Sequence, residues 1–356
     1  MIILTRLADS GSKGANRVKR PTIADVAERA GVTKAAVSFA LNNQPGVSAA
    51  TRERILTIAA EVGFQPSSAA RALSGGRAQA FGLVIDRPGR LLGIEPYFMQ
   101  LISGIQTELS RQHLTLLFTL AEDHDEEITL YRGWWAQRRV DGVFLLDLQV
   151  EDPRVAALEA LGMPAFAIGA PQAAGTLPAV SPNVQAAATT AVGHLAGLGH
   201  RRIGRVAGLS DYWHTKHRAD TLAGVCAQAG IEVVTIDSGY SGESGASATR
   251  ELLQHLDPPT AILYDNDVMA VAGLGEAQRL GVQVPVDLSI LAWGDSLLCE
   301  LVHPALTALR HDVAGVGSAA ARCLTQFAAG GPAEGFTEPP PTLVARSSTA
   351  PVRGPR

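Results

Sequence analysis

Cysteine is scarce in this chain of 356 residues, which contains only Cys226, Cys299 and Cys323. Three cysteines cannot pair completely, and they lack metal-ligand spacing, so we expect buried thiols in a reducing compartment. No apolar run approaches the roughly 18 residues of a membrane span, and the N-terminal apolar run is too short for a secretory signal. Hydrophobic residues make up 46% of the chain and charged residues 18%. This composition is typical of a soluble globular protein with two or three domains, which we expect in the cytoplasm.

The signatures of common catalytic sites are also missing. The chain has no G-x-S-x-G elbow, no P-loop, no G-x-G-x-x-G and no H-E-x-x-H. His214 and His217 form an i, i+3 pair in a predicted loop or helix start, and the acidic residues 122–127 lack the spacing of a calcium loop. A solvated segment and an acidic helix start explain them better. We therefore predict a protein that is not an enzyme and needs no metal or cofactor.

Charge is distributed unevenly along the chain. Residues 1–77 hold 11 Lys and Arg against five Asp and Glu, whereas residues 78–356 hold 19 basic and 29 acidic residues. A small basic head on a larger acidic body indicates a polyanionic partner, with an ordinary solvated surface as the alternative. Residues 1–20 have little periodicity, which indicates either a disordered basic arm or a start codon assigned too far upstream.

Residues 21–64 predict three short helices. Thr22 precedes an apolar series at helical spacing, and Gly31 supplies the backbone freedom that ends this first helix. Thr33 caps a second helix and Ser48 a third. Two helices joined by a tight glycine turn form a helix-turn-helix, whose second helix enters the major groove of DNA. A helical hairpin without a ligand is the alternative.

Residues 65–77 predict a short hinge helix followed by a linker. A helix of about seven residues is marginal in water, so we expect it to order only against DNA and its two-fold mate. Leu73, at the far end of this helix, would then enter a minor-groove base step as an apolar wedge. A flexible linker, with Leu73 covering the body, is the alternative.

The runs DVAERAGVTKAAVSFALN, VSAATRERI and GFQPSSAARAL follow one another in the head. They resemble the DNA-binding head of the lactose/galactose repressor family of bacterial transcription regulators. The resemblance implies a homodimer on a pseudo-palindromic operator in double-stranded DNA, with Lys34 and Ala35 as base readers and Leu73 at the operator centre. The other DNA-binding positions are Thr33, Ser38, Phe39, Asn42, Ser48, Thr51, Arg52, Ala69 and Ala70. Many members have Arg at the position of Phe39; since Phe cannot pair with guanine, we expect it to contact a thymine methyl.

In residues 78–350, apolar runs that read as buried strands alternate with amphipathic helical segments. Strands are predicted at 80–85, 114–120, 142–146, 164–168, 202–208, 232–236, 261–264 and 288–293. Helices are predicted near 97–111, 126–138, 153–161, 184–198, 216–229, 246–255 and 267–280. This alternation predicts an α/β body with two lobes, parallel sheets covered by helices, and a ligand cleft at the carboxyl ends of the strands.

The stretches EPYFMQLISGIQ, HLAGLGHRRIGRVAG and YDNDVMAVAGL resemble the effector-binding and dimerisation domain of the same family, which is similar to periplasmic sugar-binding proteins. The resemblance implies three crossings between the lobes. The N-lobe would comprise about 79–178 and 308–334, and the C-lobe about 179–307 and 335–350, with a tail at 351–356. By position, it places in the effector cleft Asp86, Tyr97, Phe98, Tyr240 and Asn266.

Two cleft positions depart from the family pattern. Thr221 stands where the family usually has Arg, and Arg218, one turn earlier, would substitute. Gly294 stands where the family has Asp, and Asp295 is its neighbour. Charged groups of this kind make the strongest hydrogen bonds to ligands, so the departures predict either an atypical effector or a pocket that has lost its ligand.

Head and body together predict a sequence-specific DNA-binding transcription regulator, which we expect to be a repressor. Its fold would be an all-α helix-turn-helix head with a hinge helix, joined to an α/β two-lobed periplasmic-binding-protein-like body. A small molecule between the lobes, a sugar or related metabolite, would control its affinity for the operator. The alternative is a solute-binding protein without a role on DNA, which should carry a signal peptide and lack the basic head.

Overall fold

The structure, a computed structural model, describes residues 21–64, 77–87 and 89–352. Contacts within the chain divide it into two compact units, Met1–Arg77 and Ala78–Arg356. This division falls where the sequence predicts the change from head to body. The predicted arm, the last four residues, and the predicted DNA-binding residues Ala69, Ala70 and Leu73 lie outside the described part of the chain.

The described part of the head folds into three helices, α1 (Ile23–Ala30), α2 (Lys34–Leu41) and α3 (Ala49–Glu61). Each helix is preceded by a hydroxyl residue whose side chain accepts a hydrogen bond from a backbone N–H of the first turn, as predicted for Thr22, Thr33 and Ser48. The three helices meet at Val26, Val37 and Ile55, which are fully buried. Burial of each such aliphatic side chain stabilises the fold by about 1.5–3 kcal/mol.

The body is built from alternating strands and helices. Its strands are β1 (Ala80–Asp86), β2 (Thr115–Ala121), β3 (Gly142–Leu145), β4 (Ala165–Ile168), β5 (Ala179–Ser181), β6 (Arg202–Ala207), β7 (Glu232–Asp237), β8 (Ala261–Tyr264), β9 (Ser289–Ala292), β10 (Thr307–Arg310), β11 (Phe336–Thr337) and β12 (Thr342–Val344). Its helices are α4 (Gly89–Leu92), α5 (Pro96–Arg111), α6 (His124–Ala136), α7 (Pro153–Leu161), α8 (Val184–Gly197), α9 (Trp213–Gln228), α10 (Gly242–Leu253), α11 (Asp267–Arg279), α12 (Leu297–Leu301) and α13 (Val313–Ala328). In the described residues no helix is both long and apolar enough to cross a membrane.

The strands form two sheets, one in each lobe. The N-lobe sheet has the order β11-β5-β4-β3-β1-β2, and the C-lobe sheet has the order β12-β10-β9-β8-β6-β7. Paired strands run parallel except β10 and β12, which are antiparallel. Parallel sheets need helices on both faces to bury them, and the helices of each lobe supply that cover.

The chain crosses between the lobes three times, but the structure shifts the predicted boundaries by a few residues. Residues 179–181 pair with β4 and belong to the N-lobe sheet rather than to the C-lobe. Residues 307–310 pair with β9 in the C-lobe, and 336–337 pair with β5 in the N-lobe. These short segments satisfy their backbone hydrogen bonds on the sheet that the chain is leaving, which the apolar pattern does not reveal.

Two strands that the sequence predicts as buried lie at sheet edges instead. β2 and β7 are the last strands of their sheets, and each alternates between more and less exposed residues. Phe118 and Leu120 of β2 are exposed despite their apolar character. An edge strand is covered by fewer neighbours than a central strand, so an apolar run alone does not establish its burial.

Helices α5 and α13 pack unusually closely and join the two sequence segments of the N-lobe. A Cβ atom at Gly104 of α5 would lie 2.0 Å from the carbonyl oxygen of Ala314 in α13. Gly317 of α13 approaches α5 in the same way, with a distance of 2.4 Å to the carbonyl oxygen of Leu101. The glycines therefore allow contact between the two backbones.

Candidate DNA interface and effector cleft

The first turn of α2 presents an exposed surface to solvent. Gly31 has a left-handed backbone conformation (φ 61°) that ends α1, and the chain then turns into α2. Thr33 Oγ1 accepts a hydrogen bond from the Ala36 N–H (3.2 Å), which fixes the start of α2. Lys34 and Ala35 are exposed on this turn. In a helix-turn-helix the N-terminal residues of the second helix are the ones that reach base edges.

Ser38, Phe39 and Asn42 lie on the following turns of α2. Asn42 Nδ2 donates a hydrogen bond to the carbonyl oxygen of Ser38 (3.0 Å), which orients the amide along the helix. The ring of Phe39 is 39% exposed and lies against Gly46, where a Cβ atom would be 3.2 Å from the ring. Phe39 thus offers an apolar edge without hydrogen-bonding groups, as contact with a thymine methyl would require.

Three predicted DNA-binding residues lie at the start of α3. Ser48 Oγ accepts a hydrogen bond from the Thr51 N–H (3.2 Å) and lies 2.8 Å from Thr51 Oγ1. Arg52 Nη2 donates to the carbonyl oxygen of Gln44 (2.6 Å), and Nη1 donates to Asn43 Oδ1. Arg52 therefore ties the loop between α2 and α3 to the start of α3, a role that the sequence did not predict.

A cleft of about 220 Å³ lies between the two lobes of the body. Residues that follow β1, β3, β4, β8 and β9 line it, so it opens at the carboxyl ends of the strands, where ligands bind in α/β folds. Six of the eight predicted effector residues line the cleft: Tyr97, Phe98, Arg218, Tyr240, Asn266 and Asp295. Across the described part of the chain, no group of three or more His, Cys, Asp or Glu side chains is placed to hold a metal ion.

Hydrogen bonds hold Asn266 and Tyr240 in place. Asn266 is the N-cap of α11, and its Nδ2 donates to the carbonyl oxygen of Tyr240 (3.1 Å) and to Glu95 Oε1 (3.2 Å). Tyr240 Oη lies 2.7 Å from His214 Nε2 and 2.9 Å from Thr215 Oγ1. Glu95 belongs to the N-lobe and Asn266 to the C-lobe, so their hydrogen bond joins the two walls of the cleft.

Two predicted effector residues lie outside the cleft, and the prediction is corrected for both. Asp86 ends β1 with its carboxylate 3.6 Å from His124 Nε2, because successive residues of a strand point to opposite faces and Arg87 takes the cleft-facing direction. Thr221 Oγ1 donates to the carbonyl oxygen of His217 (2.8 Å). It lies one helical turn beyond Arg218, farther from the end of α9 that borders the cleft.

Asp295 lines the cleft, but its carboxylate is already occupied. Arg310 Nη2 and Arg346 Nη1 each lie 2.7 Å from one of its oxygens, and the carboxylate is almost fully buried. Phe98 is also nearly buried and belongs to the N-lobe core. These two residues support the wall of the cleft, whereas Tyr97 is 44% exposed.

Arg87 is the principal cleft residue that the sequence analysis missed. Its Nη2 lies 2.9 Å from Asp147 Oδ2, and its guanidinium carbon lies 4.8 Å and 5.2 Å from the ring centroids of Tyr212 and Tyr240 in the C-lobe. Burial disfavours both charges of the ion pair, yet Asp147 raises the pKa of Arg87 and Arg87 lowers the pKa of Asp147. Both groups therefore remain charged inside the protein.

A second guanidinium in the cleft belongs to Arg218. The buried Asp265 accepts two hydrogen bonds from Arg205 (3.0 and 2.7 Å), and Arg218 Nη1 lies 3.3 Å from the same carboxylate. Burial would raise the pKa of Asp265, but the two arginines outweigh it and hold that pKa below its usual value. Arg218 stacks 4.4 Å from the Trp293 centroid, and its buried Nε has no hydrogen-bond partner among the described residues. Arg218 therefore lies at the cleft, and its predicted substitution for the family's arginine stays a prediction.

Two titratable groups of the cleft have strongly shifted pKa values. Burial raises the pKa of Glu95 to about 7, although the nearby Arg87 opposes the shift. Burial also lowers the pKa of His214 to about 4, although Asp147 opposes it. Both shifts favour neutral forms, as expected where two lobes close over polar groups.

The segments that cross between the lobes are tied together behind the cleft. His311, in the second crossing, has Nδ1 2.9 Å from Glu338 Oε1 in the third crossing. Its Nε2 lies 3.1 Å from the carbonyl oxygen of Trp293, which follows β9. Neither His311 nor Glu338 stands among the predicted residues.

Comparison with known proteins identifies both units. Residues 22–67 match the bacterial regulatory proteins of the lacI family, and residues 192–349 match the periplasmic binding protein-like domain. The HTH-type transcriptional regulator MalR of Streptomyces coelicolor is 31% identical over 349 residues, which cover 94% of this chain and 98% of that protein. The chain belongs to the lacI family. The resemblance predicted from the sequence is confirmed.

Solved structures agree with this assignment. The transcriptional regulator CelR–cellobiose complex has 27% identity and a TM-score of 0.71 over 92% of this chain and all of that chain. The Lac repressor dimer bound to operator and the anti-inducer ONPF has 24% identity and a TM-score of 0.82 over 93% of this chain and all of that one, which supports the fold. This lacI-family protein is therefore a DNA-binding transcriptional regulator and not an enzyme, with a helical head and a two-lobed α/β body.

Proposed function

We propose that this lacI-family protein represses transcription by binding a pseudo-palindromic operator as a homodimer, and that a small sugar-like effector in the cleft controls its affinity for the operator. The exposed first turn of α2 carries the proposal, because Lys34 and Ala35 point outward while Val37 points into the head. A lysine there can donate to the O6 and N7 acceptors of guanine in the major groove. A protein that acts on bacterial DNA would work in the cytoplasm.

The cleft has the chemistry that a hydroxyl-rich effector needs. Tyr97 and Trp293 offer ring faces, while Glu95 and Asp267 offer carboxyl groups on opposite lobes. Pockets of this kind combine apolar rings with a few oriented polar groups. The relative CelR was solved with cellobiose, and the Lac repressor was solved as a dimer on its operator.

The effector would act by changing the relative orientation of the two lobes. A ligand shifts such an equilibrium only by as much as its affinities for the two states differ. Separating the two hinge segments of the dimer would weaken DNA binding, and bringing them together would strengthen it. Leu73, as the proposed minor-groove wedge, would contribute to specific binding and little to non-specific binding.

Recovery of genomic fragments by the purified full-length protein, followed by sequencing, tests the proposal. We expect enriched fragments that share a two-fold symmetric motif. Replacing Lys34 with Ala should change the base preference at symmetry-related positions and reduce discrimination between bases there by about 1–3 kcal/mol at each position. The control is Arg132→Ala, which removes an exposed positive charge from α6 of the body and should leave the motif unchanged.

The proposal fails if no fragment is enriched over bulk competitor at modest ionic strength, with and without sugars. It also fails in its assignment of Lys34 if Lys34→Ala weakens binding to every DNA sequence equally, because a phosphate contact carries no sequence information.

A further inference from the structure

We infer that Arg87 limits the effector site to small, hydroxyl-rich ligands with a single ring. The inference rests on the proposed function, since it concerns the size of the effector that the cleft admits.

Arg87 forms a wall across the cleft. It leaves the N-lobe directly after β1, and its guanidinium lies between Asp147 of the N-lobe and the rings of Tyr212 and Tyr240 of the C-lobe. The Trp213 N–H beside it donates to the carbonyl oxygen of Leu148 across the lobes (2.9 Å). No space for a ligand remains where side chains and backbone already make these contacts.

Two of the three guanidinium nitrogens of Arg87 are held by Asp147, which fixes the side chain across the cleft. Nε and Nη2 both donate to Asp147 Oδ2 (3.1 and 2.9 Å), and only 7% of the residue is exposed. A cation held over aromatic faces away from water is strongly attracted to them. A ligand that reached into this region would have to break the aromatic contacts of Arg87 and separate the partly buried Asp147 carboxylate from its arginine partner.

The space that remains is small. The cleft encloses about 220 Å³, whereas pockets for drug-sized molecules enclose about 300–1,000 Å³. On the other side the cleft is bounded by the crossing segments, which His311 and Glu338 tie together. Trp293 and Tyr97 supply ring faces within it, and Asp267 supplies a carboxylate. One polyhydroxylated ring fits these limits, and a second linked ring would need the volume that Arg87 fills.

Calorimetric titration of the full-length protein tests the inference. The single-ring probes are D-glucose, D-galactose, D-xylose and myo-inositol, and the two-ring probes are cellobiose and maltose. The quantity compared is the Kd of the best two-ring probe divided by the Kd of the best single-ring probe. If part of a variant is unfolded, its apparent Kd values for single-ring and two-ring probes rise by the same factor. The ratio of the two Kd values therefore reports size selectivity and does not depend on the stability of the variant.

We expect a ratio of at least about 10 for the wild-type protein and a fall of at least about tenfold in Arg87→Ala. Because Arg87→Ala removes the ion-pair partner of the partly buried Asp147 carboxylate, the double variant Arg87→Ala/Asp147→Asn is measured beside it and should show the same fall. Arg87→Lys, which retains the cation and most of the side-chain length, should keep the wild-type ratio, and so should the exposed control Arg132→Ala.

Three results would overturn the inference: two-ring probes bind the wild type as tightly as single-ring probes, no single-ring probe binds it, or the ratio is unchanged in both Arg87→Ala variants. The proposed function fails separately, by the absence of enriched operator fragments. A protein that selects operators but prefers cellobiose would overturn only the assignment of ligand size.

Discussion

Replacing Glu95 with Gln should stabilise the body at alkaline pH relative to the wild type. Burial raises the pKa of Glu95 to about 7 in the folded protein, whereas an unfolded glutamate titrates at about 4.3. Between these values the folded state binds more protons than the unfolded state, so the contribution of Glu95 to stability falls as pH rises. Gln carries no charge and avoids this loss.

The expected magnitude follows from the size of the shift. One pKa unit corresponds to about 1.4 kcal/mol, and part of the effect has already occurred at pH 5 because the unfolded glutamate is then ionised. The difference in free energy of unfolding between Glu95→Gln and wild type should therefore grow by about 2–3 kcal/mol in favour of the variant from pH 5 to pH 8. Gln can still accept the hydrogen bond from Asn266, so the contact between the lobes is retained.

Urea denaturation followed by tryptophan fluorescence measures this difference. The chain has four tryptophans, all in the body: Trp134, Trp135, Trp213 and Trp293. The signal therefore reports the body and not the head. Glu251→Gln, an exposed position on α10, is the matched control and should change stability equally at both pH values.

His214 contributes with the opposite sign, so each variant must be compared with wild type at the same pH. Burial lowers the pKa of His214 to about 4, and stability from this group therefore rises as pH increases from about 4 to 6.5. The reasoning about Glu95 is refuted if the difference between Glu95→Gln and wild type is the same at pH 5 and pH 8, or if it favours the wild type at pH 8.

Three further changes have expected outcomes. Asp265→Asn leaves the buried Arg205 and the partly buried Arg218 without their shared counter-ion. It should cost about 3–5 kcal/mol in the same urea assay, against almost nothing for the exposed Asp237→Asn. Equal costs would contradict this account of the buried network. Gly104→Ala places a Cβ 2.0 Å from the Ala314 carbonyl oxygen, so it should lower the free energy of unfolding by at least about 1–3 kcal/mol. If the variant unfolds at the same urea concentration as the wild type, α5 and α13 separate freely. Thr33→Ala removes the N-cap of α2 and should lower the stability of the head by about 1 kcal/mol. Thermal circular dichroism of the full chain measures this loss, with operator affinity recorded in parallel. An unchanged thermal transition of the head would reject the capping role.

Local patterns in the sequence predicted most of the helices and the central strands. The apolar series between Thr22 and Val62 has helical spacing and clear caps, so the head follows from short-range chemistry alone. The central strands were predicted because a strand covered on both faces reads as a continuous apolar run. β5, β11 and β12 were missed because they have only two or three residues, and β10 was missed because Thr307 and Arg310 interrupt its apolar run.

The cleft was predictable only where the family resemblance pointed to a position. Asp147 stands directly after the predicted strand 142–146, and Arg87 stands two residues after the predicted strand 80–85. The rule that ligands bind beyond strand ends could therefore have selected both. Glu95 and His214 gave no such signal, because their role depends on the approach of the opposite lobe. Asp86 illustrates the reverse error: it stands at the expected position, but the pleat of the strand turns it away from the cleft.

The most direct test of the central claim is the ratio of dissociation constants for a recovered genomic fragment and for a scrambled fragment of equal length, measured by fluorescence anisotropy at one fixed salt concentration. A head that reads base sequence predicts a ratio of at least about a thousandfold, reduced by Lys34→Ala and retained by Arg132→Ala. A ratio near one, with and without the sugar probes, would contradict the account.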